Sequence, residues 1–249
     1  MAYERKEPKS IKLWSTDIKK VYLGSTKIRP SGWTPWANTV AYRPLREDAN
    51  DQLGNYNWTI EWAALTYWTA WGSTIDSAFF ANTRMTTSLT WAWKTLNLWV
   101  YKPSTSNDPR INDWKQIAWN INTAWNSWVM IRSEQSNNSN WKIFINLWNW
   151  DFNYAYWKDT DQWINLCLIT NGSDSTKLYI NWVERITTSS TWNTSNTFWL
   201  WTAPWSNVGT GDYYSWWGNI SEVIIESAER TADEISDYYN NTKANYGIS

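Results

Sequence analysis

The sequence predicts an all-β protein: an antiparallel β-sandwich of the jelly-roll type, with a short N-terminal β-arm and one C-terminal α-helix. Three observations predict it. Short runs of alternating apolar residues recur along the chain, the period expected of half-buried strands. Clusters of Asn, Ser, Thr and Gly separate these runs at a spacing of roughly 8–14 residues, which suits a sandwich of many short strands. The one stripe with helical spacing lies near the C-terminus, behind a capping-box motif.

Residues 1–36 read as the arm and its linker, and 37–249 as the sandwich. In the arm, Leu13-Trp14-Ser15-Thr16-Asp17-Ile18-Lys19 aligns with Leu23-Gly24-Ser25-Thr26-Lys27-Ile28-Arg29, so the arm is expected to hold two small hairpin units. The largest side chain and the absent one thus share a position. Pro30 to Pro35 reads as a linker. The firmest strands are Lys94–Tyr101, Gln116–Ile121, Val129–Arg132, Lys142–Leu147, Phe152–Tyr156, Trp163–Thr170, Lys177–Val183 and Ile220–Glu226. In the first of these, Leu96, Leu98 and Val100 share one face, with Asn97, Trp99 and Tyr101 on the other. At the C-terminus, Thr231 and Glu234 form the capping box. Ile235, Tyr238 and Tyr239 supply the apolar stripe, and Gly247 the stop.

Composition narrows the function. The chain has 249 residues, with 22 basic against 23 acidic side chains. No charge excess points to a nucleic-acid partner or an anionic membrane. No apolar run is long enough to span a bilayer, and the start "MAYERKEPKS" carries no secretory h-region. There is no histidine, which excludes Ser-His-Asp triads and the commonest zinc sites. The single cysteine, Cys167, excludes an intrachain disulfide and reads as a core residue.

Tryptophan is anomalous. The chain carries 26 Trp beside 9 Gly, whereas ordinary chains are about 7% Gly. Several Trp follow Asn where Asn-Gly would make a tight turn: Asn57-Trp58, Asn140-Trp141, Asn149-Trp150 and Asn181-Trp182. Lys177 to Arg185 reads as a type I′ hairpin if Trp182 is taken as glycine. A bulky L-residue there costs roughly 1–2 kcal/mol. The expectation is that most of these Trp are glycines in the natural protein, encoded by UGA codons that its genetic code reads as glycine. Trp99 and Trp163 lie in strand patterns and are expected to be genuine.

Taken in order, these pieces resemble the concanavalin A-like lectin/glucanase superfamily in its laminin-G-like branch. "TVAYRPLREDANDQLGNYN" is similar to the opening strand and Asx-rich turn, and "KTLNLWVYKP" to the central strand. "QWINLCLITNGSDSTKLYINWVE" is similar to the tryptophan-led strand, loop and hairpin, and "GNISEVIIESAERTADEISDYYN" to the last strand and helix. The arm resembles short β segments that open some phage structural proteins.

The resemblance implies either sugar binding or hydrolysis. Glucanases of this fold carry Glu-x-Asp-x-x-Glu on one strand, and no such set is present. Asp159 and Asp161 read as a solvated turn. Glu222 and Glu226 share a face of the last strand, expected to be a solvent-facing edge. No enzyme activity is therefore expected. Some laminin-G-like domains hold calcium at a loop rim, where Asp48 and Asp51 supply hard oxygen ligands. An Asx-turn accounts for both carboxylates more simply, so no cofactor is expected unless Ca²⁺ binds there. For glycan binding, Trp99 and Tyr101 could floor a concave sheet, with Tyr213 and Tyr214 on a bordering loop. Alternatively, these aromatics cover a second, minor core. The favoured function is non-catalytic recognition of a surface glycan or polysaccharide by a virion or cell-surface protein whose arm could dock to other virion proteins. A glycoside hydrolase and a purely structural virion decoration protein are the alternatives.

Overall fold

The computed structural model describes residues 12–13, 16–17, 21–23, 26–28, 36–46, 48, 50–54, 56, 58–62, 64–70, 72–80, 83–87, 93–104, 114–121, 128–135, 140–147, 154–171, 175–189, 197–200 and 218–249. The chain divides into two units, Met1–Thr34 and Pro35–Ser249. In the first, β1 (Lys12–Leu13) pairs antiparallel with β2 (Thr16–Asp17), and β3 (Val21–Leu23) with β4 (Thr26–Ile28). Leu13 stands opposite Thr16 and Leu23 opposite Thr26. The ten-residue repeat is therefore a pair of hairpins in the same register.

The second unit begins with β5 (Thr39–Arg43), β6 (Thr59–Trp62), β7 (Thr66–Trp68), β8 (Ser77–Phe80) and β9 (Thr83–Thr87). It continues with β10 (Thr95–Tyr101), β11 (Trp114–Ile121), β12 (Trp128–Gln135), β13 (Asn140–Leu147) and β14 (Tyr154–Asp159). Then come β15 (Trp163–Thr170), β16 (Thr176–Ile180), β17 (Val183–Thr188), β18 (Thr197–Leu200) and β19 (Gly218–Glu226). Helix α1 (Ala232–Thr242) and a 3₁₀ turn (Lys243–Tyr246) end the chain.

Two antiparallel sheets result. The eight-stranded sheet runs β17-β16-β15-β10-β19-β8-β7, with β5 also paired to β19; the seven-stranded sheet runs β14-β13-β12-β11-β18-β9-β6. Alternation along each strand explains how they meet. Leu96, Leu98 and Val100 of β10 share one buried cluster with Ile131 of β12 and with Ile143 and Ile145 of β13. Inward side chains of both sheets thus form a single core, the geometry of a β-sandwich. Each such aliphatic side chain contributes about 1.5–3 kcal/mol when fully buried.

The helix forms as the capping box predicts. The Thr231 hydroxyl accepts from the Glu234 amide at 3.2 Å, and the Glu234 carboxylate accepts from the Thr231 amide at 2.9 Å. Ile235, Tyr238 and Tyr239 are buried. Gly247 has φ +71°, and a Cβ there would lie 2.1 Å from the Gly72 carbonyl oxygen, so the stop requires glycine.

One reading of the Asn-Trp pairs needs correction. Asn140-Trp141 is no turn: Asn140 opens β13, and Trp141 continues its inward alternation with Ile143 and Ile145 into the core, fully buried. Its indole N–H donates to the Asp159 carbonyl at 3.2 Å. Trp58 packs against the core with the Arg43 guanidinium 4.6 Å from its ring centroid. Asn181-Trp182, by contrast, does form the tight turn between β16 and β17, with φ +48° and +61°. Trp150 lies outside the described residues.

Candidate functional site

Trp99 and Tyr101 take the face opposite Leu96, Leu98 and Val100, and that face is closed. Trp99 is fully buried. Its ring stacks on Tyr246, with centroids 4.1 Å apart, and on Tyr239 at 5.6 Å. Trp163 packs on Tyr246 at 4.8 Å and on Tyr101 at 5.4 Å. Beside them Cys167, Ile169 and Tyr179 form a small cluster with Ile235 of α1. The aromatic floor drawn from the sequence is therefore a second core under the C-terminal helix. Among the described residues the indole N–H groups of Trp99 and Trp163 meet no acceptor, a cost of about 1–3 kcal/mol each that ring packing and burial offset.

The Tyr101 hydroxyl reaches a loop. It donates to Asp161 at 3.1 Å, and the Ser104 amide donates to the same oxygen at 2.9 Å. Partial burial pushes the Asp161 carboxyl up, but the hydrogen bonds from Ser104 and Tyr101 outweigh it and hold the group below its ordinary range. Asp161 has φ +59°, which Asp tolerates better than most residues. Asp159 is the last residue of β14 and pairs with Asn140, whereas Asp161 lies in the bend that follows and ties the end of β10 to the start of β15.

Glu222 and Glu226 share a face, but it is no solvent-facing edge. Both are buried beneath the helix, at 2% and 0% exposure. Glu222 accepts from Tyr238 at 2.8 Å and from Arg46. Glu226 accepts from both Arg230 Nε at 2.6 Å and Arg230 Nη2, while Arg230 Nη1 donates to Glu234 at 2.9 Å. The Arg230 guanidinium also lies 3.7 Å from the Trp36 ring centroid. These carboxylates anchor α1 to the eight-stranded sheet.

Asp48 and Asp51 bond to backbone. Asp51 accepts from the amides of Tyr42 (2.9 Å), Leu53 (3.2 Å) and Tyr56 (3.0 Å). Asp48 accepts from the Asn50 amide at 2.9 Å. Burial lowers the nearby Arg43 guanidinium to about 9, an effect that Asp51 and Asp48 partly counter. Among the described residues, no group of three or more His, Cys, Asp or Glu could hold a metal. With both carboxylates engaged in Asx-type turns, millimolar Ca²⁺ is expected to move Tm by less than roughly 1 °C. A saturable rise of several degrees in a thermal scan would instead assign a calcium site to this loop.

The seven-stranded sheet offers a different face. Because Ile131, Ile143 and Ile145 point inward, alternation turns Arg132, Lys142 and Phe144 outward. Arg132 stands directly opposite Phe144 across β12 and β13, its guanidinium carbon 5.4 Å from the ring centroid. That separation is within cation–π range. Although outward, Arg132 is only 6% exposed. Lys142 and Phe144 are half-buried. Chemically this pairs an aromatic ring with a guanidinium, a group whose donors suit hydroxyl and carboxylate oxygens. The sequence reading missed both residues, though the Ile131/Ser133 and Ile143/Ile145 alternation was a signal for them. Tyr213 and Tyr214 lie outside the described residues.

No protein-family model matches this chain, and no curated protein matches it in sequence. Solved structures do. Domain 4 of AbnA, a GH43 extracellular arabinanase from Geobacillus stearothermophilus solved with arabinotriose, matches with a TM-score of 0.58 at 17% identity. The match covers 81% of this chain and 98% of that domain. The receptor-binding domain of botulinum neurotoxin type G matches with a TM-score of 0.57 at 14% identity, over 82% of this chain and 51% of that one. That of the mosaic C/D serotype matches at 0.57 and 13%, over 82% and 50%. This chain spans about half the length of the neurotoxin domains. At these identities the likeness is one of fold: the chain shares the β-sandwich of these domains.

Proposed function

We propose that this is a non-catalytic carbohydrate-binding protein whose site is the outer face of the seven-stranded sheet, at Arg132 and Phe144. The observation that carries the reading is the fold likeness to an arabinanase domain solved with arabinotriose, which extends over nearly all of that domain. The concanavalin A-like, laminin-G-like resemblance of the sequence supports it. So does the enclosure of the rival face beneath α1. A ring and a held guanidinium suit the two sides of a sugar: an apolar C–H face for Phe144 and polar oxygens for Arg132. A virion or cell-surface location fits the same reading, with the hairpin arm docking to neighbouring virion proteins. Hydrolysis has less support, because Glu222 and Glu226 are engaged with Arg46, Tyr238 and Arg230.

The test is affinity electrophoresis against a panel of polysaccharides that includes arabinan. Retardation by at least one is expected. Arg132→Gln should weaken it at least tenfold in the fraction that stays folded, since a hydrogen bond to a charged group contributes about 1.5–3 kcal/mol. Phe144→Ala should act in the same direction. No retention by any member of the panel would contradict the reading, and release of reducing sugar would replace it with a hydrolase. Particle association without glycan binding would favour a structural decoration role.

A further inference from the structure

We infer that residue 182 is glycine in the protein as its source makes it, the codon at this position being UGA read as glycine. The turn itself argues for this. Ile180 pairs with Val183, so Asn181 and Trp182 alone connect β16 to β17, and both have positive φ. Positive φ at both central residues marks a type I′ turn, for which Asn-Gly is the preferred pair. Nor can the turn relax into another type. Asn181 is fastened to β15 twice: its side-chain oxygen accepts from the Asn165 amide at 2.9 Å, and its own amide donates to the Asn165 carbonyl at 2.9 Å.

Trp182 gains nothing that offsets the strain. Its side chain is 47% exposed, and among the described residues it makes no hydrogen bond or ring contact. Other non-glycine residues with positive φ are compensated. Leu45 is fully buried in the core, and Glu222 bonds to Arg46 and Tyr238. A bulky, unpartnered ring on a left-handed backbone is the environment of a glycine.

The arm makes the same case independently. The register leaves two residues between Leu13 and Thr16, Trp14 and Ser15, and two between Leu23 and Thr26, Gly24 and Ser25. Two-residue hairpin connections of types I′ and II′ both take positive φ at their first residue. In sequence, one copy of the repeat has Gly24 and the other Trp14 at the same position. With 26 Trp against 9 Gly in the chain, a single codon reassignment accounts for both positions. Trp99 and Trp163, packed inside the second core, are assigned to UGG.

The inference is independent of the carbohydrate reading, and the experiment that tests it is silent on glycans. The codons for residues 14, 99, 163 and 182 are read from the source DNA, and the tryptic peptide Leu178–Arg185 is fragmented from protein isolated from source cells. UGA at 14 and 182, UGG at 99 and 163, and a glycine mass at 182 are expected. A UGG codon or a tryptophan mass at 182 overturns the inference. In recombinant protein, Trp182→Gly should raise Tm by a few degrees; a fall would likewise count against it.

Discussion

Replacing Glu226 by alanine is expected to lower the stability of the sandwich by about 3–5 kcal/mol, the usual effect of removing one partner from a buried ion pair. For a unit of this size that is a fall in Tm on the order of 10 °C. Glu226 is fully buried on β19, and Arg230 grips it through two guanidinium nitrogens. The loss would leave Arg230, itself only 9% exposed, with Glu234 at the helix start as its remaining carboxylate partner. Arg230 carries much of the attachment of α1, because it also lies over Trp36. Thermal and urea unfolding of the variant would measure the effect. A change below about 1 kcal/mol would mean that the helix is held by its apolar face alone.

Trp99→Ala should cost a similar amount, about 3–5 kcal/mol, as a large ring deleted from a close-packed site. Here the lost contacts are the stacks on Tyr246 and Tyr239. The same variant decides what the aromatic face does. Reduced stability with unchanged glycan retention by the folded fraction is the expected pair of results. Unchanged stability with lost retention would return Trp99 to a ligand site and open the face that α1 covers.

Much of the fold is legible from local chemistry. The Leu96/Leu98/Val100 alternation, the Thr231–Glu234 capping box and the Asn181–Trp182 turn all depend on neighbours in sequence, and all three form as read. What the sequence did not show is which side of a strand is covered by a distant element. Trp99 and Tyr101 were correctly separated from Leu98, yet nothing in β10 reveals that Tyr239 and Tyr246, far along the chain, close over them. Glu222 and Glu226 were misread for the same reason, since their burial comes from a helix that begins after them. Asn140-Trp141 failed differently: a dipeptide signal for a turn competed with the strand alternation of Trp141, Ile143 and Ile145, and the alternation won. Arg132 escaped notice because a lone arginine in a strand reads as solvated, and only the cross-strand register sets it against Phe144.

The measurement that tests the central claim most directly is hydrogen–deuterium exchange of the intact protein with and without a retained polysaccharide, cut to short oligosaccharides. The account predicts slowed exchange in Trp128–Gln135 and Asn140–Leu147, with Thr95–Tyr101 and Ala232–Thr242 unchanged. Protection confined to Thr95–Tyr101 or to the helix, with the Arg132 strands unaffected, would contradict it.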